Sequence, residues 1–552
     1  MEPHTVFRKK WRGTHGLIAI LDSLSSKSWI KYLVYALSII FFFMLILIPP
    51  IIGILQKISR LSEIFETPGL FERATNAILW SFILAFIVST LDMIAALPLA
   101  WFIVRSKSKL INLIDTLIDI PFLIPTAALG YSASLFWSQS GGVAALFGLE
   151  SLVQPGFLLV LLLHFIFSYP VIVRVMVGEL LSYREVYEVA AKTLGAHPFT
   201  AVRTVTLPLL KPALVASFLL AFARSLSETG ATVMVAGRFE NGPVFIFNNQ
   251  EKESALVYVS LSLIASSVLI FFLIRFIALK TKVPIWRTWP NYEKKLSSRT
   301  AVNFRNLVTI AIFMLFVIIP SVYVALPLIN ALSDGTLNKA LTGIEPWSSF
   351  WRSFALSYLI GFISTLTNIA AGLPTAVLIA RKKIGRFTSV LESLVNIPII
   401  VPSIALGVSL RFFWESMGFL NEFWILTFSH TTITYTYFVL SMAASIESIT
   451  QEMEEVASTL GATPFEVFRK ITLPLTKYSL FSGAVLVFTR CIGETGAAKA
   501  AAKTLHTVPV LLVDWIVHET VSPSESAMGI GFLIITSFLA LLVFRVLIRR
   551  KE

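Results

Sequence analysis

The chain has 552 residues, 56% of them hydrophobic, and a mean hydropathy of +0.79. Apolar surface in that amount excludes a soluble globular protein and points to lipid as the solvent. A net charge of +13 does not mark a nucleic-acid binder, because the basic residues gather in short segments beside apolar runs: Arg8 to Arg12, Arg105 to Lys109, Lys280 to Arg287, Lys294 to Arg299, Arg381 to Arg386 and Arg549 to Lys551. The positive-inside rule expects this of cytoplasmic loops.

About 20 helical residues cross a hydrocarbon core of about 30 Å. Residues 1–28 read as a cytoplasmic tail with no small-residue cleavage site after the first apolar run, so the first span stays. Spans are predicted near 30–55, 75–104, 110–138, 155–178, 211–237 and 255–278, and again near 306–329, 354–380, 387–414, 422–446, 475–500 and 528–547. The expected fold is an all-α polytopic membrane protein of about twelve helices in two parallel six-helix repeats, 29–279 and 306–552, joined by a cytoplasmic linker, 280–305. Six crossings return the chain to its starting side, which makes the repeats parallel and puts both termini in the cytoplasm, in a multi-pass protein of the cell membrane. The lone Cys491 excludes an internal disulfide, and no metal-binding spacing is present.

The halves align residue by residue. Asp119-Ile-Pro-Phe-Leu-Ile-Pro125 is echoed 277 residues on by Asn396-Ile-Pro-Ile-Ile-Val-Pro402, and Gly130 and Trp137 recur as Gly407 and Trp414. Glu228-Thr229-Gly230 recurs 266 residues on as Glu494-Thr495-Gly496. The difference fits an insertion in the first half near Gly141 to Gln154.

At the same offset of 266, two loops on the cytoplasmic side read alike. Tyr187 to Phe199, continuing to Thr206-Leu207-Pro208, matches Met453 to Phe465, continuing to Thr472-Leu473-Pro474. Tyr187, Ala190, Ala191 and Leu194 make one apolar stripe at helical spacing, and Met453, Val456, Ala457 and Leu460 repeat it. Acidic residues lie toward each helix start, where the dipole favours them. Gly195 and Gly461 suit a left-handed helix end, and Pro198 and Pro464 suit the first turn of a following helix. A hairpin with an apolar stripe, present twice, calls for two copies of a partner.

These loops resemble the EAA loop of binding-protein-dependent ABC importer permeases, with its Glu-Ala-Ala, Gly and Leu-Pro landmarks. Each half resembles one six-span permease of the ferric iron, thiamine, polyamine and sulfate/molybdate superfamily. The departures are Val189 where that family usually has Glu, with Glu188 one place earlier, and Val456 in place of the first Ala after Glu455. The resemblance implies that Glu188, Ala190, Ala191, Gly195, Pro198 and Pro208, with Glu455, Ala457, Gly461, Pro464 and Pro474, couple this chain to an ATP-binding subunit. It also implies two copies of that subunit, an extracytoplasmic solute-binding protein, and no catalysis by this chain. No G-x-x-x-x-G-K-[ST] loop occurs, so ATP and its magnesium are expected on the partner.

Ionisable residues inside spans pair or line a cavity. Arg224 and Glu228 lie four apart, Arg490 and Glu494 repeat them, and the expectation is one helix face for each pair, either bracing the bundle or gating the pathway. Asp119 has only Asn396 as its counterpart and meets either a cation or an internal arginine; Asp115 is matched by Glu392. His164 and Arg174, without charged counterparts, are assigned no role. Thr434, Tyr435 and Thr436 face a cavity or bond neighbouring helices. The fused layout favours ferric iron or thiamine as cargo, and Ser227 to Gly237 resembles molybdate or sulfate permeases. The expectation is an inorganic ion, with thiamine or a polyamine as the alternative and a secondary transporter behind them.

Overall fold

A computed structural model describes residues 22–106, 110–280 and 290–549. The basic segment Arg8 to Arg12, residues 107–109, linker residues 281–289 and residues 550–552 lie outside them. The described chain is helical, without strands. Among the described residues, eight helices are long and apolar enough to cross a membrane: Trp29–Gln56, Leu70–Arg105, Phe157–Ser182, Glu253–Ile277, Arg299–Ser333, Trp347–Ala380, Pro464–Ile492 and Pro523–Ala540. Three sharply bent pairs raise the number to 11 if each is one span. Glu422–Glu447 also has spanning length but is rich in Ser, Thr and Tyr. The set is consistent with the twelve spans expected.

Two expectations need correcting. The third span of each half is not one rod: Ile111–Leu123 and Thr126–Phe147 meet at 108°, and Phe387–Ile400 and Ser403–Ser416 at 104°. Ile124 and Val401 precede Pro125 and Pro402, and the proline ring forces the residue before it out of the helix; their ψ angles are 127° and 136°. The stretches 211–237 and 475–500 are also interrupted. Helix Lys211–Ser227 stops before Glu228 and Pro464–Ile492 stops before Glu494, each followed by a short helix, Gly230–Val235 or Gly496–Ala501.

Elsewhere proline loosens the helix, although Pro198–Leu209 and Lys211–Ser227 still meet at 73°. Wider π-helical turns at Phe42–Leu47, Val202–Thr206, Phe313–Ile318 and Phe468–Thr472 each lie just ahead of a proline (Pro49, Pro208, Pro320, Pro474), which has no N–H to continue the ladder. Two of these distortions fall in each half.

The halves exchange their first spans. Phe42, Ile46 and Leu47 belong to the core formed by Ala376, Leu391, Tyr435, Phe438 and Val487 of the second half. Phe313, Val317 and Ile318 are buried with Ala96, Tyr169, Ile172 and Ala213 of the first. Repeat-related serines anchor the exchange: Ser132 Oγ accepts from the Val324 N–H at 2.9 Å, and Ser409 Oγ accepts from Ile54 N–H at 3.1 Å. Burial of apolar surface against the opposite half makes the two repeats one body.

Candidate functional site

Both loops lie on one face of the bundle. Helix Trp29–Gln56 starts beside the second loop, where the Phe465 N–H donates to Ser25 Oγ at 3.3 Å, and its far end reaches helix Glu253–Ile277 through Lys57 and Glu253, 3.1 Å apart. That helix crosses back, and Pro290–Leu296 then packs on the first loop, where the Phe199 N–H donates to Ser297 Oγ at 3.1 Å.

The loops share one geometry. Helices Val186–Thr193 and Gln451–Thr459 end at Gly195 and Gly461, whose φ values of +89° and +88° lie in the left-handed region. There Ala196 N–H returns to Ala191 O and Ala462 N–H to Ala457 O, both at 3.1 Å, closing the helix ends as a Schellman motif does. Pro198 and Pro464 open the next helix. The large stripe side chains turn outward: Tyr187, Met453 and Val456 are about half exposed, and Leu194 and Leu460 are 89% and 83% exposed. Ala190, Gly195, Pro198, Glu455, Gly461, Pro464 and Pro474 are exposed too, and Ala191, Ala457 and Pro208 are half-buried.

Glu188 is placed differently. It is 2% exposed and turned inward, with Arg105 at 3.3 Å and Lys192 at 2.5 Å. Its repeat partner is Glu454, not Glu455: Glu454 meets Arg381 at 2.9 Å and accepts from Thr472 Oγ1 at 2.8 Å. Each acid ties its loop to the end of the second span of its own half. The 266 offset takes Glu188 to Glu454 and Val189 to Glu455, so the acid that anchors each loop stands one place before the motif position.

The loops differ in one cap. Thr463 and Glu466 form a reciprocal capping box, whereas His197 occupies the corresponding place in the first loop and caps nothing with its side chain. Thr463→Ala is expected to cost about 1 kcal/mol locally and speed amide exchange at 464–467 about fivefold. Unchanged exchange there would remove the cap from the account.

Farther in, the interrupted fifth spans meet. Arg224 lies 2.9 Å from Glu228, and Arg490 lies 2.7 Å from Glu494. Both pairs form, although not along one continuous helix face as expected, since the helix has ended by the glutamate. Each carboxylate reaches the next helix start, Glu494 accepting from Ala497 N–H at 3.0 Å and Glu228 from Ala231 N–H at 3.5 Å, where the dipole favours negative charge. The two Glu-Thr-Gly segments touch across the pseudo-twofold axis: a Cβ on Gly230 would lie 2.6 Å from the Thr495 side chain, and one on Gly496 2.6 Å from Thr229 Oγ1. Crossed bonds close the seam, Thr126 Oγ1 to Gly493 O and Ser403 Oγ to Ser227 O, both at 3.3 Å.

Asp119 does not join this seam. Arg174 holds it at 2.7 Å and Asp115 at 2.7 Å, an internal bridge that gives the role-less Arg174 its partners. His164 was also passed over, although the 266 offset carries it to His430. Its Nδ1 bonds Ser225 Oγ at 2.8 Å and its Nε2 bonds Thr232 Oγ1 at 2.9 Å, stapling the two sides of the break. Cys491 and Ala498 replace those partners in the second half, and His430 bonds Leu426 O instead. Thr434, Tyr435 and Thr436 are buried; Tyr435 bonds Thr375, Thr434 accepts from Asn368, and Thr436 donates to Val395 O, so they knit helices together.

A two-halved helical membrane protein, with twin exposed loops on one face and a seam of repeat-related breaks at its centre, is a transport component. The chain belongs to the family described as "Binding-protein-dependent transport system inner membrane component", which matches residues 92–283 and 372–552, once in each half. It is a fused permease of that family. Among curated proteins it is similar to a probable sulfate transport system permease protein, cysT, of Nephroselmis olivacea, at 32% identity over 249 residues, 44% of this chain and 84% of that protein. It is also similar to the molybdenum transport system permease protein ModB of Mycobacterium tuberculosis, at 26% over 39% of this chain and 85% of the relative. A third relative is the molybdate/tungstate transport system permease protein WtpB of Methanocaldococcus jannaschii, at 28% over 38% of this chain and 84% of the relative. Less than half of this chain accounts for most of each relative.

Proposed function

We propose that this chain forms the whole translocation pathway of an ATP-driven importer for a tetrahedral oxyanion: sulfate, molybdate or tungstate. The observation that carries the substrate class is the seam. Helices Thr126–Ser138 and Ser403–Ser416 both start there, directing positive dipole ends toward it, and Arg224 and Arg490 stand beside it. Glu228 and Glu494 neutralise those arginines while the seam is closed. A bare arginine in so dry a place would trap a dianion; a paired one lets it pass, since conduction needs weak binding. The named cargoes of the relatives support the same class and favour it over ferric iron or thiamine.

Each exposed loop docks one ATP-binding subunit, which carries ATP and magnesium. Leu194 and Leu460 are the anchors, because side chains that apolar and that exposed mark a partner surface. The positive-inside rule makes the loop face cytoplasmic, with both termini, and leaves the opposite face to a solute-binding protein. Glu188 and Glu454 brace the loops rather than touch the partner.

Replacing Leu194 and Leu460 together by aspartate is expected to cut co-purification of an ATPase at least tenfold, and proteoliposomes of the intact complex should take up labelled sulfate, molybdate or tungstate. Retention of the ATPase by the double variant, or uptake of none of the three anions, would overturn the corresponding half of the reading.

A further inference from the structure

We propose that the segments leading into the two first spans, residues 22–25 and 290–297, are clasps that grip the second arm of each loop and carry its displacement into the opposite half. The contact occurs at both loops, closely at the first and more loosely at the second. In the first loop Arg203 lies 2.6 Å from Glu293, Thr200 Oγ1 donates to Glu293 Oε2 at 2.6 Å, and the Phe199 N–H donates to Ser297 Oγ at 3.1 Å. In the second loop Arg469 lies 3.8 Å from Asp22, and the Phe465 N–H donates to Ser25 Oγ at 3.3 Å. Arg203 and Arg469, and Phe199 and Phe465, are related by the 266 offset. The gripping segments repeat as well: Leu24-Ser25-Ser26-Lys27 is matched by Leu296-Ser297-Ser298-Arg299, a likeness the sequence reading left unused.

Glu293 is 6% exposed, so the first clasp is a buried, multiply bonded contact and not a chance surface pair. Its position gives it a mechanical consequence. Each loop is held at two points, to the end of its own half's second span through Glu188 or Glu454, and to the start of the opposite half's first span through Arg203 or Arg469. Those first spans lie against the half whose loop they grip and run on into the other half. A loop pushed by its partner therefore moves an element of both halves together, which is what parting a seam between halves requires. Glu293, Arg203, Asp22 and Arg469 are positioning residues. They touch neither cargo nor nucleotide.

The inference rests on the loops being the docking surface, and the test separates the two. In a Cys491→Ala background, Thr229→Cys with Thr495→Cys reports the seam by disulfide yield, read in the reconstituted complex with and without ATP plus vanadate. With the clasp intact the yield is expected to fall at least fivefold on trapping. Glu293→Ala should abolish that response while the ATP-binding subunit still co-purifies. Glu293→Asp, and the reversed pair Arg203→Glu with Glu293→Arg, should regain at least half of it. Thr200→Val, the mildest change, should lie between. A full response in Glu293→Ala would overturn the clasp and leave docking intact. Failure of the subunit to co-purify with the unaltered loops would overturn both. A reversed pair that assembles with its subunit yet shows no response would also count against the clasp, since a positioning pair tolerates exchange of its charges.

Discussion

Glu494→Ala is expected to abolish transport and to destabilise the protein by about 3 kcal/mol or more, because the charge of Arg490 is left without its partner inside a span. The Ala497 N–H, which donates to Glu494 at 3.0 Å, loses its acceptor as well, adding about 1 kcal/mol. Glu228→Ala should behave alike, softened by the Phe167 ring 5.2 Å from the Arg224 guanidinium. The informative variant is the paired one. Arg490→Leu with Glu494→Leu removes both charges and fills their space, and such exchanges of buried ion pairs are often neutral for stability. The double variant should recover its thermal unfolding temperature in detergent but not its uptake. Asp119→Asn provides the contrast: its bridge to Arg174 is about half exposed and should cost under about 1 kcal/mol. Wild-type uptake by the paired leucine variant would reduce the seam charges to a brace.

The second large effect is expected at the loop glycines. Gly195→Val with Gly461→Val should reduce uptake per ATP hydrolysed at least tenfold while the ATP-binding subunit stays bound. The cause is conformation, not crowding: nothing lies within 4 Å of a Cβ built on either glycine, yet both sit near φ +90°. A left-handed conformation costs an L-residue about 1–2 kcal/mol, and a β-branched one is an outlier there. The loop escapes the strain by re-aiming its two arms, which separates the exposed leucine from the anchoring acid. Gly195→Asn with Gly461→Asn should be far milder, since asparagine tolerates this region. Equal loss in the Asn and Val variants would mean that the glycines matter for close approach of the partner and not for the bend.

Much of this architecture was legible beforehand because it depends on local properties. Pro121 and Pro398, Gly195 and Gly461, and the Arg-Glu spacing are each readable from neighbours along the chain, and so are the hydropathy of the spans and the basic flanks. The errors arise where a property read along the chain misses a contact or turn made in three dimensions. Hydropathy sees a span as a run of apolar residues, and Ile124-Pro125 or Ser227-Glu228 does not interrupt the run even though the backbone turns there. Sorting residues by charge hid His164, whose partners Ser225 and Thr232 are neutral, and missed Arg174, whose two acids lie 55 and 59 residues away in sequence. Glu454 went unremarked because motif spacing says nothing about which side chain of a short helix faces inward.

By itself the sequence determined a polytopic helical protein, its division into two like halves, the loops with their glycine bends and the repeat of Arg224 and Glu228 as Arg490 and Glu494. All of these are carried by periodicity, composition and an internal offset. Only the tertiary structure decided that each first span packs on the opposite half, that Glu228-Thr229-Gly230 lies against Glu494-Thr495-Gly496, and that Glu293 holds Arg203. Those contacts join residues far apart in the chain, and an apolar helix carries no mark of which of several equally apolar neighbours it will bury against. The choice is made by shape, where glycines admit close approach and serines supply the few hydrogen bonds a dry interface allows.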